Sequence, residues 1–417
     1  MMKYVTLAKG DIVPSNVEKK DGSMQPQSHI KLTRPLVLLL TIASGLAIGN
    51  LYWAQPLLAQ ISQGMGVPVA DSGLLVTATQ VGYALGILLI VPLGDILPRR
   101  KLIAAVMALS ALSLLSCAFA PSFLLLAFAL LALGVTTVSG QIIVPMARDL
   151  ADPAEQGHVV GIVSAGITLG ILVARTISGL VADVLGWRAI YLIASLLNLA
   201  LMAVVWKALP KLPPKEKVRY PALIVDVFKS VVTYKPLKWI LVTNGLVFGV
   251  VFNLFWTSLT FLLSSDSFGF STLQIGLVSL AGVTGALGSL WVGKLQDRGW
   301  GVQGIGAFIL VSLAGMMLAL FSGASIALIV IAAALYSLGV QGVGILNQTR
   351  ALLLDPAKSS RLNTAFVTNN FVCGAVGSAL AGLLWNISGW QAVCGAAIAA
   401  ILLALGCWLL NRLKTVH

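Results

Sequence analysis

About twelve times along this chain the sequence runs apolar for roughly twenty residues, the length a helix needs to cross the hydrocarbon core of a bilayer. The approximate runs are 35–60, 71–93, 101–120, 122–147, 158–184 and 187–209, then 238–263, 271–293, 302–322, 325–348, 361–386 and 390–411. Of all residues 58% are hydrophobic and 10% are charged, where a soluble domain carries roughly 25% charged. No soluble fold hides that much apolar surface. In lipid a helix satisfies its own backbone, so the expected fold is an all-α integral membrane protein with about twelve transmembrane helices.

The breaks between runs set the orientation. Gly94-Asp95-Ile96-Leu97-Pro98-Arg99-Arg100-Lys101 carries one acid, three bases, and a glycine and proline that stop a helix. Positive residues in short loops stay cytoplasmic. Of the 27 Lys+Arg, all but Arg175 and Arg188 fall in gaps or ends assigned to a single face. Both termini are therefore expected inside. That orientation explains the net charge of +13, and nucleic acid is not an expected partner. The first 33 residues lack an apolar core before a cleavage site, so they read as a cytoplasmic tail and not a signal peptide. Cys117, Cys373, Cys394 and Cys407 lie inside apolar runs without metal-ligand spacing. No metal and no cofactor is expected.

The chain repeats itself. Asn50-Leu51-Tyr52-Trp53 matches Asn253-Leu254-Phe255-Trp256, Asp95 matches Asp297, and Arg148 matches Arg350, all at an offset of about 200 residues. Asp152-Pro153-Ala154 matches Asp355-Pro356-Ala357 and Gly186-Trp187 matches Gly389-Trp390 at the same offset. Between the copies, Pro210-Lys211-Leu212-Pro213-Pro214-Lys215-Glu216-Lys217 reads as a linker. The expected units are a tail 1–34, an N-terminal six-helix bundle 35–209, a cytoplasmic linker 210–237 and a C-terminal six-helix bundle 238–417. An even number of spans per copy makes the two repeats parallel. That arrangement belongs to transporters whose substrate site lies between the halves at mid-membrane.

From about Pro35 onward these features resemble the major facilitator superfamily. The loop after that family's second helix runs Gly-x-Leu-x-Asp-Arg-x-Gly-Arg-Arg/Lys. Asp95, Arg99 and Arg100 fall on its acid and trailing bases, while Val91, Ile96 and Pro98 replace other positions. In the second copy Gly293, Leu295, Asp297 and Arg298 match the front of the pattern. The resemblance implies a gating role for Asp95, Arg99, Arg100, Asp297 and Arg298, with acids paired across the seam between the halves. The twelve-helix drug-efflux type is the nearest match. Its helix-four arginine is Leu130 here, and its Gly-Pro step in helix five is replaced by Ala174-Arg175 before Ser178-Gly179.

Arg175 stands near the middle of the fifth run. Exposure of its charge to lipid there costs at least a few kcal/mol, so it should face a cavity or a polar partner. It could anchor a carboxylate, a phosphate or another anion. It could equally be a structural arginine tied to carbonyls and to hydroxyls such as Thr176 and Ser178. Asp183, two turns on, is its one candidate acid. In the family, helices one, four, seven and ten line the cavity, which favours Asn50, Gln55, Gln141, Asn253, Trp256 and Gln341 as further substrate contacts. Helix–helix hydrogen bonding is the competing role for each.

The expected function is a monomeric secondary transporter in the cytoplasmic (inner) membrane, working by alternating access on a small-molecule substrate. Export of a small organic molecule, with protons as the coupling ion the resemblance implies, is the leading reading. No Asp or Glu lies deep in a span, so facilitated diffusion stays open. The rivals are uptake of a small organic anion held by Arg175 and a membrane receptor or scaffold that does not transport. No enzyme is expected: the phosphate-loop-like Gly288–Lys294 ends in Leu295 where Ser or Thr is needed, and Gly299–Gly304 follows no strand.

Overall fold

The computed structural model describes residues 33–152, 155–210 and 219–415, without the side chains of 289–291, 293, 294, 297, 357 and 413–415. The expected tail up to residue 32, the 211–218 part of the linker and the side chain of Asp297 lie outside the described residues. Among the described residues helices dominate and no strand occurs. Nine helices there are long and apolar enough to cross a membrane: Val69–Ile96, Arg99–Ala118, Phe123–Leu150, Gln156–Leu185, Trp187–Ala208, Lys235–Ser264, Gly301–Leu320, Ile326–Leu353 and Ser359–Arg412. Arg34–Gly49 and Thr272–Gly288 are shorter apolar helices. The 54-residue Ser359–Arg412 run contains a break, where Ser388 (φ −153°) and Gly389 (φ 56°) leave helical geometry.

Local chemistry sets the ends. Pro35 takes the first turn of Arg34–Gly49, where its missing N–H costs nothing. Ser122 and Ser325 accept backbone N–H bonds at the starts of the helices that follow them. Ser271 and Gln274 form a reciprocal capping box at Thr272. Gly186 (φ 82°) joins the helices ending at Leu185 and starting at Trp187. Gly389 occupies the matching place in the second copy of the Gly-Trp pair, and both need the left-handed freedom of glycine.

Two runs depart from unbroken helices. The first ends its α-helix at Gly49 and passes through a turn and a short 3₁₀ segment, Gln55–Leu57, before Leu58–Met65 resumes. Asn50 and Thr137 explain the stop. Thr137 Oγ1 donates to the Ala47 carbonyl (2.7 Å) and accepts from Asn50 Nδ2 (3.0 Å), consuming polar groups at the end of the helix. The seventh run is α-helical over Lys235–Asn244, widens to a π-helix over Gly245–Val251, and returns to α over Phe252–Ser264. Such π segments insert a residue into the turn and are frequent at functional sites.

Large apolar side chains such as Phe119, Leu124, Val184, Leu196 and Ile387 point outward from the helices. In water a girdle of this kind would be unstable; in a bilayer it faces lipid. Inside, Leu40, Ile103, Met107, Ile143 and Val163 form one core of the first half, and Val247, Phe255, Ile309, Met316, Tyr336 and Val340 form another in the second.

The halves meet along a seam that differs at its two ends. One end carries Arg34, Asp95, Arg99 and Arg412 and is called here the basic face. At the opposite face, polar atoms bond across the seam. Asp183 Oδ2 accepts from Ser271 Oγ (2.7 Å), and Asp183 Oδ1 accepts from Thr272 N (3.1 Å) and from Thr272 Oγ1. Thr260 Oγ1 donates to the Gln55 carbonyl (3.0 Å), and Thr77 and Ser378 hydroxyls bond at 2.9 Å. The backbones also touch: a Cβ on Gly179 would lie 2.3 Å from Thr272 O, and one on Gly276 would lie 2.8 Å from Arg175 O. Asp183 thus caps the start of the Thr272 helix and does not serve as a partner for Arg175.

At the basic face the seam is bridged by the short helix Tyr220–Thr233. Its Tyr220 hydroxyl donates to the Leu89 carbonyl (2.7 Å). Its Leu223 and Val227 line a small cleft with Pro92 and Asp95 of the first half and Ser360, Arg361 and Thr364 of the second. Nearby, Tyr234 Oη donates to Asp355 Oδ2 (2.6 Å), and that carboxylate holds the phenol above its ordinary pKa.

Candidate functional site

The seam holds a half-open cavity whose empty space, open space at its mouth included, is about 470 Å³. Its walls come from both halves. Tyr52, Thr168, Ile171, Leu172 and Arg175 face Phe248, Phe252, Trp256, Gly282, Ser337 and Gln341. The apolar character of the Gln156–Leu185 helix fails at Arg175, which is only 2% exposed and belongs to this wall. Among the described lining residues it is the one ionisable base, and none is an Asp or Glu.

Aromatic rings take the place that an acid would normally fill. The Arg175 guanidinium carbon lies 4.5 Å from the Trp256 ring centroid, 4.9 Å from Tyr52 and 5.5 Å from Phe252. Each ring's negative face attracts the cation. Ring faces cannot accept N–H bonds as a carboxylate does, however, and Nε and Nη2 have no hydrogen-bond partner among the described residues. The hydroxyls that could have tied the arginine down are turned elsewhere. Thr176 Oγ1 donates to Leu172 O and Gly276 O, and Ser178 Oγ donates to Trp53 O. Two more buried polar atoms of the same wall, Trp256 Nε1 and Ser337 Oγ, also lack partners among the described residues. An isolated guanidinium edge in an apolar chamber is costly, and an anion is the group that would satisfy it.

Of the seven substrate contacts expected from the sequence, Arg175, Trp256 and Gln341 come together on this cavity. The others stand among helices. Asn50 bonds Thr137 and accepts from Trp53 Nε1 (2.9 Å). Gln141 Nε2 donates to Tyr83 Oη (3.3 Å), and Asn253 Oδ1 accepts from Gln80 Nε2 (2.9 Å) across the seam. Gln55 is buried with neither side-chain amide atom partnered among the described residues. The duplicated Asn-x-x-Trp sequence is used in two ways. In the first copy Asn50 takes the Trp53 indole N–H; in the second, Asn253 turns to Gln80 and the Trp256 indole N–H is buried without a partner among the described residues.

The expected gating residues lie toward the basic face. Arg99 is buried and fully engaged: Nε donates to Gly94 O (3.0 Å), Nη1 to Asp149 Oδ2 (2.6 Å), and Nη2 lies 3.6 Å from Asp95 Oδ1. These partners of Arg99 belong to the first half. Asp95 reaches the seam as part of the cleft shared with Ser360, Arg361 and Thr364. The Arg100 guanidinium stacks 4.6 Å over Trp206, and Arg298 is exposed. The residues that sequence reasoning left out of the site are Tyr52, Phe248, Phe252, Gly282, Ser337, Thr168, Ile171 and Leu172. Phe248, Phe252 and Trp256 recur every fourth residue, a spacing that puts them on one helix face and could have flagged them.

Residues 38–377 match the Major Facilitator Superfamily family model. A transporter of Escherichia coli O157:H7 designated YgaY is 37% identical over 373 residues, covering 89% of this chain and 94% of its own. "Probable transporter SCO4007" of Streptomyces coelicolor is 31% identical over 395 residues, covering 94% and 90%. Among solved structures, the nucleoside transporter NupG superposes with a TM-score of 0.74 over 89% of this chain and 98% of its own, at 15% identity. With its membrane-length helices and this extent of likeness, the chain belongs to the Major Facilitator Superfamily and is a multi-pass membrane transporter.

Proposed function

We propose that this protein carries a small organic anion across the cytoplasmic membrane by alternating access, with net movement outward. One observation carries the reading: a buried arginine, wrapped by three rings on the wall of the central cavity, has a guanidinium edge without a partner among the described residues. The nine long helices, the break at Ser388–Gly389 and the two shorter apolar helices support twelve crossings in two six-helix bundles. The clustering of lysines and arginines supports a cytoplasmic basic face. The bonded opposite face then corresponds to a closed outer gate.

Direction follows from charge. A carrier that moves one negative charge feels about 2.3 kcal/mol per 100 mV of membrane potential. With the interior negative, that force points outward. Among the described lining residues no carboxylate offers a proton site, which supports potential-driven export over proton exchange.

Charge movement by proteoliposomes adsorbed on a solid-supported electrode tests this reading. Pulses of monocarboxylates should evoke currents in the wild type that reverse with the imposed potential and vanish in R175A. Leak of the neutral acid carries no charge and cannot imitate the signal. Movement of neutral or cationic solutes, with no anion-evoked current in any variant, would overturn it.

A further inference from the structure

Resting on the anion reading above, we infer that the substrate is a planar aromatic monocarboxylate bearing a neutral oxygen substituent. Three features of the cavity, each independent of the others, narrow the anion to this class.

The first is charge. Arg175 is the one ionisable base among the described lining residues. A dianion such as a phosphate ester or a dicarboxylate would bring a second negative charge into an apolar chamber with nothing to balance it. The occupant carries a single negative charge.

The second is the shape of the unpartnered edge. Nε and Nη2 lie on the same side of the guanidinium, and both lack partners among the described residues. Their two N–H bonds run nearly parallel, the spacing that a carboxylate's two oxygens accept as a fork. Two-point contact of this kind puts the carboxylate in the guanidinium plane. Tyr52, Trp256 and Phe252 lie about the guanidinium, and Phe248 continues the aromatic wall of the cavity. An arene conjugated to its carboxylate shares the carboxylate's plane. Such a body can run on from the fork as a flat plate between rings, where stacked or edge contacts favour it over a bulkier aliphatic ring.

The third is the second polar point. Trp256 Nε1 and Ser337 Oγ are buried without partners among the described residues, and Trp256 Nε1 can only donate. They are close together. A Cβ on Gly282 would lie 3.6 Å from Trp256 Cζ2 and 3.9 Å from Ser337 Oγ. An oxygen on the substrate that accepts from the indole N–H satisfies this corner. A hydroxyl or an ether does so without adding charge.

Isothermal titration of the purified full-length protein separates the possibilities. The probes are benzoate, 4-hydroxybenzoate, 3-hydroxybenzoate, cyclohexanecarboxylate, benzamide, phthalate and inorganic phosphate. Benzoate is expected to bind at least ~10-fold more tightly than benzamide, phthalate, phosphate and cyclohexanecarboxylate. At least one hydroxybenzoate should bind more tightly than benzoate. R175K, which keeps the charge and loses the fork, should weaken benzoate at least ~10-fold while the melting temperature of the protein stays near wild type. W256F should abolish the advantage of the hydroxyl, read as the ratio of hydroxybenzoate to benzoate affinity within the same variant. If anions bind in an Arg175-dependent way but phthalate, phosphate or cyclohexanecarboxylate equals benzoate, the aromatic monocarboxylate assignment fails and the anion carrier stands. If no probe anion binds in a manner that depends on Arg175, both fail.

Discussion

Arg99 and Arg175 are buried to nearly the same degree, 6% and 2% exposed, and their surroundings are opposite. Arg99 meets a carbonyl and two carboxylates, and each of its nitrogens has an acceptor or an acid beside it. Arg175 meets three aromatic faces, and among the described residues it meets no acid and one edge of its guanidinium has no acceptor. The first arrangement fixes the loop after Val69–Ile96 onto the end of Phe123–Leu150. The second leaves binding capacity in the middle of the molecule. Burial alone therefore says little about an intramembrane charge; the identity of its neighbours decides between scaffold and site.

The sharpest way to break the contrast is to remove each arginine and measure both stability and binding. R175A should lose two charge-assisted hydrogen bonds to the substrate, worth about 1.5–3 kcal/mol each. Anion-evoked current should fall on the order of 100-fold or more, with thermal unfolding in detergent little changed. R99A should do the reverse. It takes one partner from Asp149 and one from Asp95, both partly exposed, and losing a hydrogen bond to a charged group costs about 1.5–3 kcal/mol, read as a lower melting temperature. A result in which R175A unfolds the protein as readily as R99A would falsify the distinction. A smaller effect is expected at the opposite face. D183N weakens the cap on the Thr272 helix, and because Asp183 is solvent-exposed the loss is about 1 kcal/mol. Spin-label distances across that face should report a roughly 5-fold gain of the open population. The smallest change belongs to G282A. Its methyl would lie 3.1 Å from Leu172 Cδ2, the mobile end of a side chain, and would narrow the corner by Trp256 and Ser337. Ring-bearing anions should lose affinity by about a few-fold, and slim aliphatic acids should not.

Much of the architecture was legible because the physics that dictates it repeats. A bilayer demands an apolar run of fixed length, and the chain supplies that run again and again. Arg175 stood out for the same reason, as a lone charge deep in an apolar run. Trp256 and Gln341 could be named because the duplication and the family's helix order pointed to them. Leu172 and Gly282 could not, since a leucine or glycine on a cavity wall looks the same in sequence as one packed against a helix, while Phe248 and Phe252 left only their four-residue spacing from Trp256 as a sign. The partner of Asp183 was also hidden. Two helical turns from Arg175, it is a natural acid for that base by spacing, yet the N–H and hydroxyls at the start of the Thr272 helix meet it from the other half. Contacts that depend on how two halves dock leave no periodic trace in either one.

Gly276 rests directly on the carbonyl of Arg175, with no side chain between the two backbones. A joint without padding transmits motion undamped. When the helix that begins at Thr272 swings, it must drag the arginine's own helix or part from it, and the rings contributed by the other half shift against the cation. Under the proposed alternating access, cargo and door are geared together through this contact and the one between Gly179 and Thr272, and whatever grips the guanidinium has a hand on the latch.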